Sequence, residues 1–468
     1  MTNYSRKFIG LTITTLLMAC IFIMSATAAQ QSDKAPELTA GKAIEPFPIL
    51  SFVPPAITEE QLKLYKEANF TVLTIWPKSR EYDIMKKYWN GNYILYNIWG
   101  DPNITYDDMI AFHPDDPQLV GYFLGDEPNY IRIDEVGKIA DKFRDARPDK
   151  SCLVNVFPSY AGYQLHSSYL DYITKYFEVL KPKYCSLDNY ACFWFNVDRS
   201  DFYYDIGIMR HYAQKYNSRQ IGFVQVYSSN VCREVSESDL AWQVNSFLAY
   251  GCKGLWYFNY RHPAAKGGPV AKNDPLTEIY DFRLNSGMIA KPYKSVCVFG
   301  SAVLDMNDKP GYTYQFVKSV NGKAIVWGKV LINLTSIDVF HTSNTVVPGY
   351  NPYDPVGADI FYPGQMSYIQ NVTPANPLSV SGFIIAYFED SSKRPYVMIV
   401  NKRHGEDISC VQATVVTKIE FKDNVKGAFS ISNVDGKEKE LKIENKCIVE
   451  NIGGGEAILL RLEISNEK

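Results

Sequence analysis

The chain has 468 residues, more than one typical domain, and a formal net charge of -3 from 48 Lys and Arg against 51 Asp and Glu. Without a basic stripe to neutralise phosphates, and without an acidic tail, nucleic acid is not expected as a partner. Aromatics are abundant, with 34 Tyr, 25 Phe and 7 Trp, and flat rings with a polar edge suit sugar faces as well as cores.

Residues 1–28 read as an export signal: Arg6 and Lys7 precede the apolar run Phe8 to Met24, and Ala26-Thr27-Ala28 is a small-x-small cleavage site before Ala29. An alternative reading takes Leu17-Met18-Ala19-Cys20 as a lipobox leaving a lipid-anchored Cys20. Simple cleavage is preferred, because the lipobox would leave Ile21-Phe22-Ile23-Met24 as an apolar start. The mature chain is then expected in the periplasm, outside the cell or on its surface. Residues 29–45 read as a linker, and no later segment approaches the ~20 apolar residues of a membrane span. Of nine Cys only Cys20 lies in the signal, and the others show no C-x-x-C pair of the kind that marks zinc or redox sites. They read as small buried hydrophobes, with a Cys410–Cys447 bridge left open.

Eight apolar runs follow: Pro48 to Val53, Phe70 to Trp76, Asn92 to Ile98, Leu119 to Leu124, Cys152 to Phe157, Tyr184 to Asn189, Ile221 to Tyr227 and Gly254 to Asn259. Their starts fall 22, 22, 27, 33, 32, 37 and 33 residues apart, the spacing of strand-plus-helix units rather than hairpins. Continuous apolar runs suit parallel strands covered on both faces, and eight units predict a closed (β/α)8 TIM barrel over 46–305. Thr58-x-x-Gln61 reads as a capping box before Leu62 and Tyr65, and Val136, Ile139, Ala140 and Phe143 trace a helical stripe. Ser236 to Tyr250 forms a helix stopped by Gly251, and a last helix is expected over roughly Pro275 to Ala290. From Gly311 to the end at 468, turns such as Asn321-Gly322, Asp435-Gly436 and Gly453-Gly454-Gly455 predict an all-β sandwich with no helix.

In such a barrel the site lies where strands end, which selects Trp76; Asn97, Trp99 and Asp101; Asp126 and Glu127; Asn155 and Tyr160; Asp188, Asn189 and Tyr190; Gln225 and Tyr227; and Trp256, Asn259 and Tyr260. Carboxylates, amides and rings together equip a site to bind and cleave a sugar. Glycosidic cleavage needs a protonated carboxyl beside the leaving oxygen and a second, ionised one. Glu127 is the expected acid. Pro128 is expected to hold it extended at the strand end, with Asp126 and an apolar lining raising its pKa. The six His lack metal-ligand spacing, and no G-x-S-x-G, P-loop or dinucleotide fingerprint occurs, so neither metal nor cofactor is expected. Trp76, Trp99, Trp194, Trp256 and Tyr260 are read as sugar platforms or as packing.

The segment Gly121-Tyr-Phe-Leu-Gly-Asp-Glu-Pro-Asn129 resembles the strand-four signature of the clan of retaining barrel glycosidases that includes the family 42 β-galactosidases. Trp242 to Phe258 is similar to the helix-seven and strand-eight segment of such hydrolases, and Val397 to Asn401 and Gly453 to Leu462 look like strands of the trailing sandwich. The resemblance implies that Glu127 is the acid/base. Two departures stand against it: Asp126 replaces the usual Asn, and Gln225-Val-Tyr227 stands where the clan carries its nucleophilic Glu. Asp188 is the first candidate for the second carboxylate, then Glu234, with Asp126 and Asp101 behind. The expectation is an exported glycoside hydrolase acting on an oligo- or polysaccharide. The alternative is a non-catalytic carbohydrate-binding protein with a degenerate barrel.

Overall fold

The computed structural model describes residues 43–96, 103–229, 232–262, 301–342, 359–361, 366–377, 379 and 381–465. The export signal, most of the linker, Asn97, Trp99, Asp101 and the helix expected over Pro275 to Ala290 lie outside the described residues.

All eight predicted runs form parallel strands: β1 (Ile49–Ser51), β2 (Val72–Ile75), β3 (Asn92–Tyr96), β4 (Leu119–Asp126), β5 (Ser151–Val156), β6 (Tyr184–Leu187), β7 (Arg219–Gln225) and β8 (Leu255–Phe258). They form one sheet in the order β1-β8-β7-β6-β5-β4-β3-β2. The seam between β1 and β2 is spanned by Thr71, whose amide donates to Ile49 O at 2.9 Å and whose hydroxyl accepts from Ile49 N at 2.8 Å. Leu50, Val72, Ile94, Phe123, Leu153, Ile221, Phe223 and Trp256 fill the interior, which is why the strands read as unbroken apolar runs. The fold is a (β/α)8 barrel followed by an all-β sandwich.

The helices covering the barrel are α1 (Glu59–Glu67), α2 (Ser79–Tyr88), α3 (Tyr106–Ala111), α4 (Ile133–Ala146), α5 (Tyr169–Leu180), α6 (Phe202–Lys215), α7 (Glu237–Ala249) and α8 (Tyr314–Leu331). Thr58 caps α1 by accepting from Gln61 N. The Gln61 side chain does not return the bond; it donates to Asp308 O at 2.9 Å. Ser236 and Asp239 form a full capping box on α7.

Helix α8 corrects the expectation of strands from Gly311 onward. Val317, Val320, Ala324, Trp327 and Leu331 recur at helical spacing and are buried, and the Asn321-Gly322 pair lies inside the helix instead of in a turn. Asn321 accepts from Tyr257 Oη at 2.6 Å and donates to Ala68 O at 2.9 Å, so α8 packs on β8 and the end of α1. That is the place of the eighth barrel helix.

The sandwich strands are β9 (Thr335–Thr342), β10 (Asp359–Phe361), β11 (Ile369–Pro374), β12 (Phe383–Glu389), β13 (Pro395–Asn401), β14 (Val415–Phe421), β15 (Val425–Ile431), β16 (Glu438–Leu441), β17 (Cys447–Ile452) and β18 (Ala457–Ile464). One sheet runs β10-β9-β12-β13-β18-β15-β16 and the other β11-β14-β17. Their inner faces share a core that includes Phe383, Ile385, Val397, Ile399, Ile419 and Leu460. Cys410 and Cys447 are free thiols, so no bridge joins them.

The sandwich meets the barrel along α7 through charged and stacked groups. His404 stacks on Trp242 with ring centroids 4.0 Å apart and reaches Asp239 at 2.7 Å. Arg233 binds the same carboxylate at 2.7 Å from the barrel side. Burial opposes the charge on Asp239, but His404 and Arg233 outweigh it and hold the carboxyl far below its ordinary pKa. Among the described residues, no helix is long and apolar enough to cross a membrane.

Candidate active site

A bulge in β4 aims the two carboxylates. Phe123 pairs with Leu153, but Gly125, two residues on, pairs with Val154, so Leu124 is an extra residue in the strand. Phe123 points into the barrel. A side chain on Gly125 would instead meet Val136 of α4 at 3.7 Å, which puts position 125 outward and turns Asp126 inward to the mouth. Without the bulge, strand alternation would send Asp126 toward the helices.

Glu127 departs from the extended backbone expected before Pro128. Its φ is +47°, a left-handed conformation uncommon for a residue with a long side chain. Its amide donates to Asn155 O at 2.9 Å, continuing the ladder to β5. A regular strand residue after Asp126 would face the helix layer; the left-handed turn brings the Glu127 carboxyl back over the mouth. Backbone strain of this kind costs about 1–3 kcal/mol and persists where surrounding bonds fix it. Tyr172 on α5 supplies such bonds, donating to Pro128 O at 2.9 Å and accepting from Phe157 N at 3.2 Å.

Three carboxyls converge there. Asp188, one residue past β6, is 7 % exposed and in polar contact with Glu127, Tyr190 and Asn155, while its Oδ1 has no hydrogen-bond partner. Asn155 Nδ2 donates to Asp126 Oδ1 at 3.3 Å, and Asn155 Oδ1 accepts from Ser186 Oγ at 3.0 Å, which fixes which way the amide faces. Burial and the neighbouring Asp126 charge raise Glu127 to about 7, with the contact to Asp188 acting the other way. Asp126 is exposed, yet desolvation by the surrounding groups raises it to about 6 against the Asn155 bond. Asp188 is also pushed well above the ordinary carboxylate range, by burial and then by the charges of Glu127 and Asp126. Near neutral pH the cluster therefore carries bound protons, with Asp126 the readiest to ionise.

Around the cluster, Trp76 is half-buried at the mouth with its ring 4.7 Å from Tyr96. Tyr190 is half-buried and packs edge-on against Tyr227 at 4.7 Å. Other expected contacts are engaged elsewhere. Asn189 donates to Asp201 at 3.0 Å and Asp205 at 2.7 Å, tying the loop after β6 onto α6. Gln225 is fully buried: its Oε1 accepts from Cys192 N at 2.9 Å and its Nε2 donates to Cys192 O and Tyr227 O, each at 3.3 Å.

Trp256 and Tyr260 are corrections to the sugar-platform reading, because neither has an exposed face. Trp256 lies in the barrel's aromatic core, 4.7 Å from Phe123, and Tyr260 packs against Tyr65 at 4.7 Å and Phe70 at 5.2 Å, toward α1. Tyr227 is also nearly closed off, and Asn259 is fully buried with neither amide atom hydrogen-bonded. Glu234 is exposed and feels Asp407 of the sandwich; none of the three clustered carboxyls is among the charges acting on it. Sequence reasoning missed Ser186 and Tyr172. Neither carries a motif, since each acts through a contact between elements distant in the chain. Among the described residues, no group of three or more His, Cys, Asp or Glu is arranged to hold a metal ion.

No family model matches the chain, and neither does any curated protein. Solved structures do match, at low identity. A β-galactosidase from the psychrophilic Marinomonas ef1 is 8% identical with a TM-score of 0.42, over 62% of this chain and 62% of that one. N2152 from Neocallimastix frontalis is 10% identical with a TM-score of 0.40, over 89% and 95%. The β-glucuronidase of Parabacteroides merdae is 9% identical with a TM-score of 0.34, over 90% and 61%. The chain thus spans about three fifths of the length of the galactosidase and the glucuronidase. The likeness is one of fold.

Proposed function

We propose that the chain is an exported glycoside hydrolase with Glu127 as its acid/base. The observation that carries this reading is the convergence of Glu127, Asp126 and Asp188 at the carboxyl ends of β4 and β6, with burial raising all three. A carboxyl raised to about 7 still holds a proton at neutral pH and can give it to a leaving glycosidic oxygen. Asp126, the first to ionise, stabilises the positive charge that develops on the sugar ring. Once the leaving group has departed with the proton, Glu127 is a carboxylate and activates water; the net change is addition of one water across the bond.

In this reading Asp188 is a positioning residue. Opposed catalytic carboxyls stand about 5–5.5 Å apart in retaining enzymes and ~6.5–9.5 Å apart in inverting ones, to admit the sugar or a water. Asp188 and Glu127 are instead in hydrogen-bonding contact, so in this reading Asp188 holds and tunes the acid. Export rests on the pattern of residues 1–28, and an oligo- or polysaccharide substrate on the polar and aromatic mouth.

One observation favours a second reading, a non-catalytic carbohydrate-binding barrel: Gln225, at the position of the clan's nucleophile, is tied to Cys192 and Tyr227. Digestion of a panel of aryl glycosides and polysaccharides by the wild type and by Glu127→Gln separates the two. Product from the wild type that disappears in the variant supports hydrolysis. Saturable glycan binding with no product from either supports the binding module, and equal rates in both overturn the role of Glu127.

A further inference from the structure

Arg199 follows a small hairpin, Cys192–Phe193 paired with Val197–Asp198, in the same loop after β6 that begins with Asp188. Its guanidinium lies 3.5 Å from the centroid of the Tyr160 ring and 4.5 Å from that of Phe193. Nε donates to Tyr190 O at 3.2 Å. The terminal nitrogens are differently placed. Asp201 approaches Nη1 only to 3.9 Å, beyond hydrogen-bonding range, and its Oδ1 already accepts from Asn189. Neither terminal nitrogen is a buried orphan, and the side chain keeps 21% of its exposure, so the donor edge faces solvent.

Arg233 provides the contrast of a structural arginine. It is fully buried, and each of its nitrogens meets a carboxylate or a backbone carbonyl: Asp239, Asp198, Phe193 O and Val197 O. Arg199 instead lies over the rings of Tyr160 and Phe193, with its outer fork left open. A guanidinium so held loses little freedom on binding, and its fork matches a carboxylate through two parallel bonds. It also belongs to the rim of the site. Tyr160, beneath it, accepts from the Tyr190 amide, and the Tyr190 hydroxyl touches Asp188. A cluster of three carboxyls disfavours an acidic ligand unless a cation on the same rim meets the ligand's charge.

We propose that Arg199 is a specificity-determining residue that binds the carboxylate of a uronic acid, making acidic sugars the substrate class. The inference rests on the glycoside hydrolase reading for turnover, but not for binding. The test therefore measures both on the full chain. Binding of D-glucuronate and D-galacturonate is compared with D-glucose and D-galactose by titration calorimetry, alongside hydrolysis of the corresponding 4-nitrophenyl glycosides.

The wild type is expected to bind or process at least one uronate about tenfold or more better than its neutral counterpart. A lost charge-assisted bond corresponds to roughly 10- to 100-fold, which Arg199→Gln should forfeit on uronates alone. Arg199→Lys, which keeps the charge without the fork, should recover part of it and serves if the Gln variant melts early. Uronate binding that depends on Arg199 without turnover overturns the hydrolase reading and leaves this one standing. Cleavage of neutral glycosides with no Arg199-dependent preference for uronates overturns this one alone. Absence of both overturns both.

Discussion

The carboxyl groups of Glu127 and Asp188 meet at the mouth of the barrel, one carried by the turn after β4 and the other by the loop after β6. Two like groups in contact cannot both ionise cheaply, so the pair holds a proton into the neutral range while Asp126 is released first.

That arrangement predicts a bell-shaped pH dependence of kcat/KM. The acidic limb should lie near the value of Asp126, about 6, because its charge is needed. The alkaline limb should lie near that of Glu127, about 7, because its proton is needed. Stopped assays over pH 4–9 on an aryl glycoside check this, and a plateau extending beyond pH 9 would contradict it.

Stability should move the opposite way to activity when the cluster is neutralised. A carboxyl whose folded pKa is raised stabilises the fold fully below its unfolded value, near 4.5, and that contribution is lost as pH rises through about 7. Glu127→Gln and Asp188→Asn should therefore raise Tm by a few degrees at pH 8 and by less at pH 5. Thermal melts at the two pH values report it; a variant that melts earlier at pH 8 would refute the buried-charge account.

Placing a carboxylate at position 225 should not create a nucleophile. Gln225→Glu removes the two Nε2 bonds to Cys192 O and Tyr227 O and places an acid in a fully buried position. A loss of about 2 kcal/mol or more is expected in denaturant unfolding, with no gain in hydrolysis. A stable variant with raised activity would mean that position 225 can turn to the mouth.

The junction of barrel and sandwich should depend on Asp239. Arg233 and His404 share two carboxylates, Asp239 at 2.7 Å from each and the more exposed Asp198 at 3.4 and 3.1 Å; removing the Asp239 charge takes away the buried, closer one, and breaking a buried pair costs up to about 3–5 kcal/mol. Asp198 and Asp239 hold the His404 pKa above its ordinary value against the effect of burial. The stabilisation from charged His404 is thus complete below about pH 6.5 and fades as pH rises through the raised value. Urea unfolding of Asp239→Asn should show the largest loss on the acid side, and a loss that does not vary with pH would exclude a charged His404.

Much of this architecture was legible because parallel strands buried on both faces leave continuous apolar runs, and all eight appear in order. Helix α8 was obscured by Asn321-Gly322, a turn signal overridden because Tyr257 and Ala68 O hold the Asn inside a packed helix. At the site, Asp126, Glu127, Asp188 and Asn155 could be selected from strand ends. The bulge at Leu124 and the left-handed Glu127 could not, since both arise from pairing with β5 rather than from local residue preference. Trp256 and Tyr260 misled for a related reason. An aromatic at a strand end looks the same in sequence whether it lines the mouth, fills the barrel or packs outward on α1.

The assignment of Glu127 as proton donor is tested most directly by its dependence on the leaving group. Values of kcat/KM, which report the bond-breaking step and not the later attack of water, are compared for wild type and Glu127→Gln on glycosides of one sugar bearing 2,4-dinitrophenol, which departs unaided, and methanol, which must be protonated. General acid catalysis contributes about 10²–10⁴-fold, so the variant should lose that factor on the methyl glycoside and little on the dinitrophenyl one. An equal loss on both, or none on either, would contradict the account.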